Sequence, residues 1–201
     1  RDAVAGAGPA FSLGRPPGHH ATRSEQMGFC LVNSIAFAAR TALEDGVERV
    51  AIVDFDVHHG NGTQDIFYEE GAVLYISSHQ WPLYPGTGSR SDRGGGAGEG
   101  MTVNLPLPPG CGDEEYRRLF ETLVLPALTS FEPGLLLVSA GYDAHRRDPL
   151  AQMEVTGAGF RALAELLLSA GPPCAFVLEG GYDPVGLREG ITATVEAMAA
   201  G

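Results

Sequence analysis

Residues 49–62 read RVAIVDFDVHHGNG, a stretch that begins like a covered strand and ends in charge. Val50, Ala51, Ile52, Val53, Phe55 and Val57 form the near-continuous, β-branched run of a strand buried on both faces, as in a parallel sheet. Asp54, Asp56, His58 and His59 crowd its far end. Charged side chains are rarely buried unless they are paired or bound to a metal. The stretch therefore predicts a parallel sheet and, at one of its strand ends, a site.

Outward from it, three more short runs read as strands beside the one at 49–57. They are 72–77 (AVLYIS), 135–140 (LLLVSA) and 174–178 (CAFVL). Helical patterns fall between them. Residues 30–45 carry Leu31, Ile35, Ala39 and Leu43 and stop at Gly46. Asp113 can cap a helix with Tyr116, Leu119, Phe120, Leu123 and Ala127 on one face, which Pro126 is expected to kink. Thr156 can cap another, through Phe160, Leu163 and Leu167 to Gly171, and Asp183-Pro184 opens the last. Strands alternating with helices predict an α/β fold, a parallel sheet with helices on both faces. The Gly-rich segment 86–100 has no strand feeding it directly and no helix after it, so it reads as a flexible surface loop rather than a phosphate cradle.

Composition narrows the function classes. The 201 residues have the size of one domain, 44% hydrophobic and 19% charged, with a net charge of -12. An acidic chain without a dense Lys/Arg run lacks the footprint for nucleic acid. No apolar run approaches the roughly 20 residues of a membrane helix, and Arg1 onward lacks the apolar core of a signal peptide. Cys30, Cys111 and Cys174 are odd in number and far apart, which argues against a disulfide framework or a structural zinc site and fits a reduced, cytoplasmic setting.

Open α/β sheets build their sites at the carboxyl ends of the strands. There the four runs deliver Asp54, Asp56 and His58; Ser77, Ser78 and His79; Asp143 and His145; and Glu179 and Tyr182. Residues two apart on a strand share a face, so Asp56 and His58 make a two-ligand edge that Asp143 could complete. Two carboxylates and one imidazole leave a position open for water or substrate, the pattern of a catalytic divalent metal. Zn²⁺ is the default for such mixed donors, with Fe²⁺, Co²⁺ and Mn²⁺ chemically compatible. Ion-paired carboxylates at a strand end would give the same spacing. His19 and His20, after a Pro-Pro-Gly turn, are either an exposed loop or a base and acid for a metal-bound water, with Asp54 and Asn61 available to orient them.

The segments RPPGHHA, GFCLVNS, DFDVHHGNGTQDIF, YPGTG, SAGYDAHRRDPL and LEGGYD occur in this order from about residue 15 to 195. The chain thereby resembles the zinc-dependent histone deacetylases and their bacterial relatives, including acetylpolyamine amidohydrolases, and most resembles the class II and bacterial branch. The resemblance implies the arginase/deacetylase α/β fold and a zinc-dependent hydrolase that removes acetyl groups from acetylated lysine, an acetylated polyamine or another small amide. It implies that Asp56, His58 and Asp143 bind one zinc ion and that His19 and His20 are the tandem catalytic histidines, His20 acting as base. Asp54 would hold His19, and Asn61 would hold His20 where class I members carry an aspartate. Tyr182 would donate to the oxyanion; Gly28, Phe29 and Tyr84 would wall a narrow channel with Leu150 at its rim. A structural potassium ion near Asp54, Asp56, His58, Ser77 and Ser78 is also implied. The family's domain normally has a substantial portion before RPPGHHA, so residues 1–201 are expected to be a single catalytic domain lacking its N-terminal part.

Two rivals share parts of this pattern. Binuclear manganese ureohydrolases have the same fold but need Asp-x-His-x-Asp, and Gly60 stands where the last carboxylate would be. A truncated deacetylase that only binds a partner or an acylated ligand is the non-enzymatic alternative, against which every testable catalytic position is intact. His59 is expected to be hydrogen-bonded below the metal, His79 and His145 to support the site or its rim, Trp81 to lie on the rim, Cys30 to be a buried thiol and Glu179 to stay outside the chemistry.

Overall fold

In the computed structural model, which describes residues 1 and 3–200, six strands form one parallel sheet. They are β1 (Ala10–Ser12), β2 (Val50–Asp54), β3 (Val73–Gln80), β4 (Thr102–Leu107), β5 (Leu135–Ala140) and β6 (Cys174–Leu178), in the spatial order β1-β6-β5-β2-β3-β4. The helices are α1 (Ser34–Glu44), α2 (Asn61–Phe67), α3 (Asp113–Leu119), α4 (Leu125–Phe131), α5 (Gly157–Ser169) and α6 (Pro184–Ala200).

Every residue of β2, β3 and β5 is buried, and the period of two sends alternate side chains into two cores. Ala51, Val53, Leu74, Ile76, Leu136 and Val138 pack on one face with Phe120 before α4 and Phe160, Leu163 and Leu167 of α5. Val50, Ile52, Val73, Tyr75, Leu135 and Leu137 pack on the other with Ile35, Ala36 and Ala39 of α1 and Phe67 of α2. Helices thus cover both faces, as expected. Because all neighbours are parallel, the carboxyl ends of the strands share one edge.

Local chemistry explains the element ends, with some corrections. The helix expected over 30–45 begins at Ser34, since Asn33 caps it by accepting from Ala36 N at 3.0 Å. Asp113 opens α3 rather than capping it; Gly112 is the N-cap, its N–H taken by the Glu115 carboxylate at 2.9 Å. The Asp113 carboxylate instead accepts from the N–H and the hydroxyl of Thr156, both at 2.7 Å, while Thr156 caps α5. Pro126 does not kink a single helix: the strain is taken up as a π-helical stretch, Phe120–Val124, between α3 and α4. Asp183 caps α6 as expected, accepting from Val185 N and Gly186 N at 3.1 and 2.8 Å.

The 49–57 run leaves the sheet at Asp54, so Phe55 to His58 form a buried turn beyond it. Strands β1 and β4 and helix α2 went unread: β1 has three residues at an edge, and β4 carries Pro106 on the other edge, where a missing N–H is tolerated. The 86–100 loop is tied down rather than flexible. Gly95 N donates to Tyr68 O at 2.8 Å, Gly100 N to Arg93 O at 2.7 Å, and Gly88 and Gly98 are buried.

Candidate active site

The carboxyl edge of the sheet draws together side chains from five strand ends. Asp56 and His58 follow β2, and Asp143 follows β5. One donor atom from each of the three lies within 4.8 Å of the others, and all three residues are buried. His58 Nδ1 sits 3.1 Å from Asp56 Oδ1 and 3.0 Å from Asp143 Oδ2. A tetrahedral ion with bonds of ~2.0–2.1 Å has ligand-to-ligand edges of about 3.3 Å. Backbone N–H groups take the carboxylate oxygens turned away from His58: Gly180 N donates to Asp56 Oδ2 at 2.7 Å, and Val57 N to Asp143 Oδ1 at 2.9 Å. Two carboxylates and an imidazole, oriented from behind and aimed at one point, fit a zinc ion.

Electrostatics sets these groups apart. Burial penalises both carboxylates, yet His19 and His58 hold Asp56 well below the usual range, whereas burial and the charge of Asp56 push Asp143 up. Burial opposes charging His58, but the hydrogen bonds its ring makes to Asp143 and Asp56 raise it to about 10.

The tandem histidines arrive on the loop after β1. His19 Nδ1 lies 3.0 Å from Asp54 Oδ2, whose other neighbour is the Tyr75 hydroxyl at 3.1 Å. His20 Nδ1 lies 2.8 Å from Asn61 Oδ1 at the start of α2. The rings are 4.1 Å apart between centroids. Burial disfavours the charge on His19, but Asp54 and Asp56 raise its pKa well above the ordinary value. Burial and the charge of His19 lower that of His20 to about 3. The surroundings therefore draw positive charge toward His19 and away from His20.

His20, His58 and Tyr182 line a cavity of about 430 Å³ together with Gly28, Phe29, Leu83, Tyr84 and Leu150. All four channel residues expected from the sequence face it, and Leu83 joins them unforeseen. A Cβ on Gly28 would run into the His20 ring, and its φ of +55° is one that side chains rarely adopt. Phe29 also has a positive φ, +66°, and is 70% exposed, with its ring 5.9 Å from that of Tyr182. Tyr182 N donates to Asp148 Oδ2 at 2.7 Å, and burial keeps the phenol far above its usual pKa.

His145 and Trp81 sit elsewhere than expected, while Glu179 lies outside the chemistry, as expected, with a structural task. Glu179 is fully buried beneath the histidines: its Oε2 accepts from Gly18 N at 2.6 Å and His19 N at 3.1 Å, and its Oε1 from the Ser139 hydroxyl. Burial lifts its pKa to about 7. The sequence shows only that Glu179 closes a strand, with nothing to mark the loop it anchors. His145 is no rim residue; it is buried and paired with Glu189 at 3.1 Å. His59 and His79 are buried with ring centroids 4.9 Å apart, and burial lowers them to about 3 and about 4. Trp81 lies outside the cavity wall. Cys30 is a buried thiol pushed up to about 11 by burial. Of the residues implied for potassium, Ser78 Oγ is 3.4 Å from the Asp54 carbonyl oxygen, and Ser77 Oγ is engaged by His79 Nδ1 at 3.0 Å. No helix among the described residues is long and apolar enough to cross a membrane.

The model of the histone deacetylase domain matches residues 1–198. Histone deacetylase 14, chloroplastic, of Arabidopsis thaliana is 47% identical over 194 residues, covering 94% of this chain and 46% of that protein. A probable deacetylase of Archaeoglobus fulgidus is 46% identical over 182 residues, 88% of this chain and 51% of its own length. The histone deacetylase-like amidohydrolase of Pseudomonas aeruginosa is 45% identical over 180 residues, 86% of this chain and 47% of its own. The chain thus spans about half the length of these relatives. The crystal structure of the HDA15 HD domain superposes on all of this chain and 60% of its own, with a TM-score of 0.97 and 42% identity.

Proposed function

The chain belongs to the histone deacetylase domain family, and from that premise we propose that it is a zinc-dependent amide hydrolase that removes acetyl groups from acetylated lysine. The observation that carries this reading is the convergence of Asp56, His58 and Asp143 on one point beside a cavity walled by His20 and Tyr182. When bound there, zinc polarises the amide carbonyl and acidifies a water.

The chain's own groups supply the rest. Asn61 Oδ1 accepts from His20 Nδ1, so the proton of the neutral ring sits on Nδ1 and Nε2 is left as the base. His20 Nε2 takes the proton of the attacking water and then returns it to the departing amine, giving acetate and a free amine. His19, whose affinity for a proton is raised by Asp54 and Asp56, discourages early protonation of His20. Tyr182 remains a phenol, and its O–H donates to the carbonyl oxygen as negative charge grows there. Phe29, Tyr84, Leu83 and Leu150 give the cavity apolar walls suited to a methylene chain.

An acetylated polyamine or other small amide is the second substrate reading, favoured by the net charge of -12, which would attract a cationic chain. A potassium ion beside Asp54 and Ser78 is part of the same proposal. So is a cytoplasmic location, suited by three free buried cysteines although two relatives are named chloroplastic. The decisive experiment measures zinc content together with turnover of an acetyl-lysine peptide and of acetylspermidine, side by side. Stoichiometric zinc with peptide turnover supports the reading. Zinc without turnover of either substrate would favour a module that only binds acylated ligands.

A further inference from the structure

We propose that His59 and His79 are positioning residues that hold the Tyr84 wall of the cavity in place, acting through Thr87 and Gly88; the inference rests on the amide hydrolase reading above. The two buried rings stand against each other, one from the turn after β2 and one from β3. Each has both nitrogens engaged. His59 Nε2 lies 3.0 Å from Gln64 Oε1, a pure acceptor, so it carries the proton, and Nδ1 accepts from the Thr87 hydroxyl at 2.8 Å. His79 Nε2 donates to the Gly88 carbonyl oxygen at 3.1 Å, and Nδ1 accepts from the Ser77 hydroxyl at 3.0 Å. Gln64 is itself fixed by Asn104 Nδ2 at 2.7 Å.

What the rings grip is the segment directly after Tyr84. Only Pro85 and Gly86 separate Tyr84 from Thr87. Gly88, at φ +92°, lies so close to both imidazoles that a Cβ would stand 2.6 Å from His79 Nε2 and 2.7 Å from His59 Cδ2. Tyr84 is half-exposed on its outer side, and its ring packs edge-on against His20, 5.2 Å away, and His58, 6.3 Å away. Exposed aromatic walls keep one position only when their backbone is fixed from behind. Here two buried imidazoles do that by holding Thr87 and Gly88, and one of them, His59, follows directly on His58.

The test uses the full chain and pairs of variants that differ in one hydrogen bond. Thr87→Val keeps the shape and removes the hydroxyl; Thr87→Ser keeps the hydroxyl. The loss of one such bond is expected to raise KM for an acetyl-lysine peptide about 3- to 10-fold. Zinc content and kcat should stay within about two-fold, and Thr87→Ser should restore KM. His79→Leu and His79→Gln, whose amide can still reach Gly88 O, should repeat the contrast. A second readout needs no turnover. Trp81 is the chain's single tryptophan, three residues before Tyr84, and its quenching by acrylamide should rise in Thr87→Val and return in Thr87→Ser. Unchanged quenching and KM in Thr87→Val would overturn the proposal. So would a parallel fall of kcat, zinc content and Tm in both Thr87 variants, which would mark packing alone. A wild-type chain with no turnover would sink the hydrolase reading instead, and the quenching pair would then decide this one.

Discussion

Tyr182 is fixed through its backbone, not its hydroxyl: Asp148 takes its N–H, and Phe29 and Arg15 flank its ring. Tyr182→Phe should therefore leave the wall intact and remove only the oxyanion donor. The expected loss is roughly 10²–10³-fold in kcat with zinc content unchanged; near-wild-type turnover would remove Tyr182 from the chemistry. Glu179 gives a contrasting prediction. Glu179→Gln leaves one acceptor oxygen where a carboxylate now serves Gly18, His19 and Ser139, and should cost about 1–3 kcal/mol in urea unfolding. At this scale the sequence was legible wherever residue types carried their own chemistry. Asp56, His58 and Asp143 met as spacing suggested, and His59 proved to be no member of that set. Glu179 was missed because its task is to receive N–H groups from a loop 161 residues away, which leaves no local trace.

Element boundaries follow from caps, and one pair of caps is shared. Asp113 at the start of α3 accepts from Thr156 at the start of α5, so the two helices are stapled where they begin. Thr156→Ala should cost about 1 kcal/mol, and Asp113→Ala a similar amount. The double variant should lose clearly less than the sum, because both changes break the same contacts. Additive losses in thermal unfolding would show that the staple carries no energy. The strands at 135–140 and 174–178 and the caps at Thr156 and Asp183 could be read from sequence because a short continuous apolar run and a cap are local signals. Helix α2 could not, since Asn61-Gly62 is turn chemistry on its face, and only the contacts of Gly62 and Thr63 with the loop carrying His19 and His20 make it a helix start.

On the scale of the whole molecule, the buried acids and imidazoles would make the proposed zinc ion a structural partner as well as a chemical one. Chelation should lower Tm, by roughly 8–16 °C if the free metal had been ~1,000 times Kd, and added zinc should restore it. An unchanged Tm would mean that the three side chains are content without an ion. The parallel order of the strands has a further consequence, one of time. Asp56 and His58 emerge from synthesis about 85 residues before Asp143, and the Gly180 N–H that orients Asp56 follows 124 residues after it. No early portion of the chain holds the full set of proposed ligands, so tight zinc capture would come late, after β5 and β6 have joined the sheet. The visible absorbance of bound cobalt during refolding would then report completion rather than nucleation, rising with the last kinetic phase and not with the first.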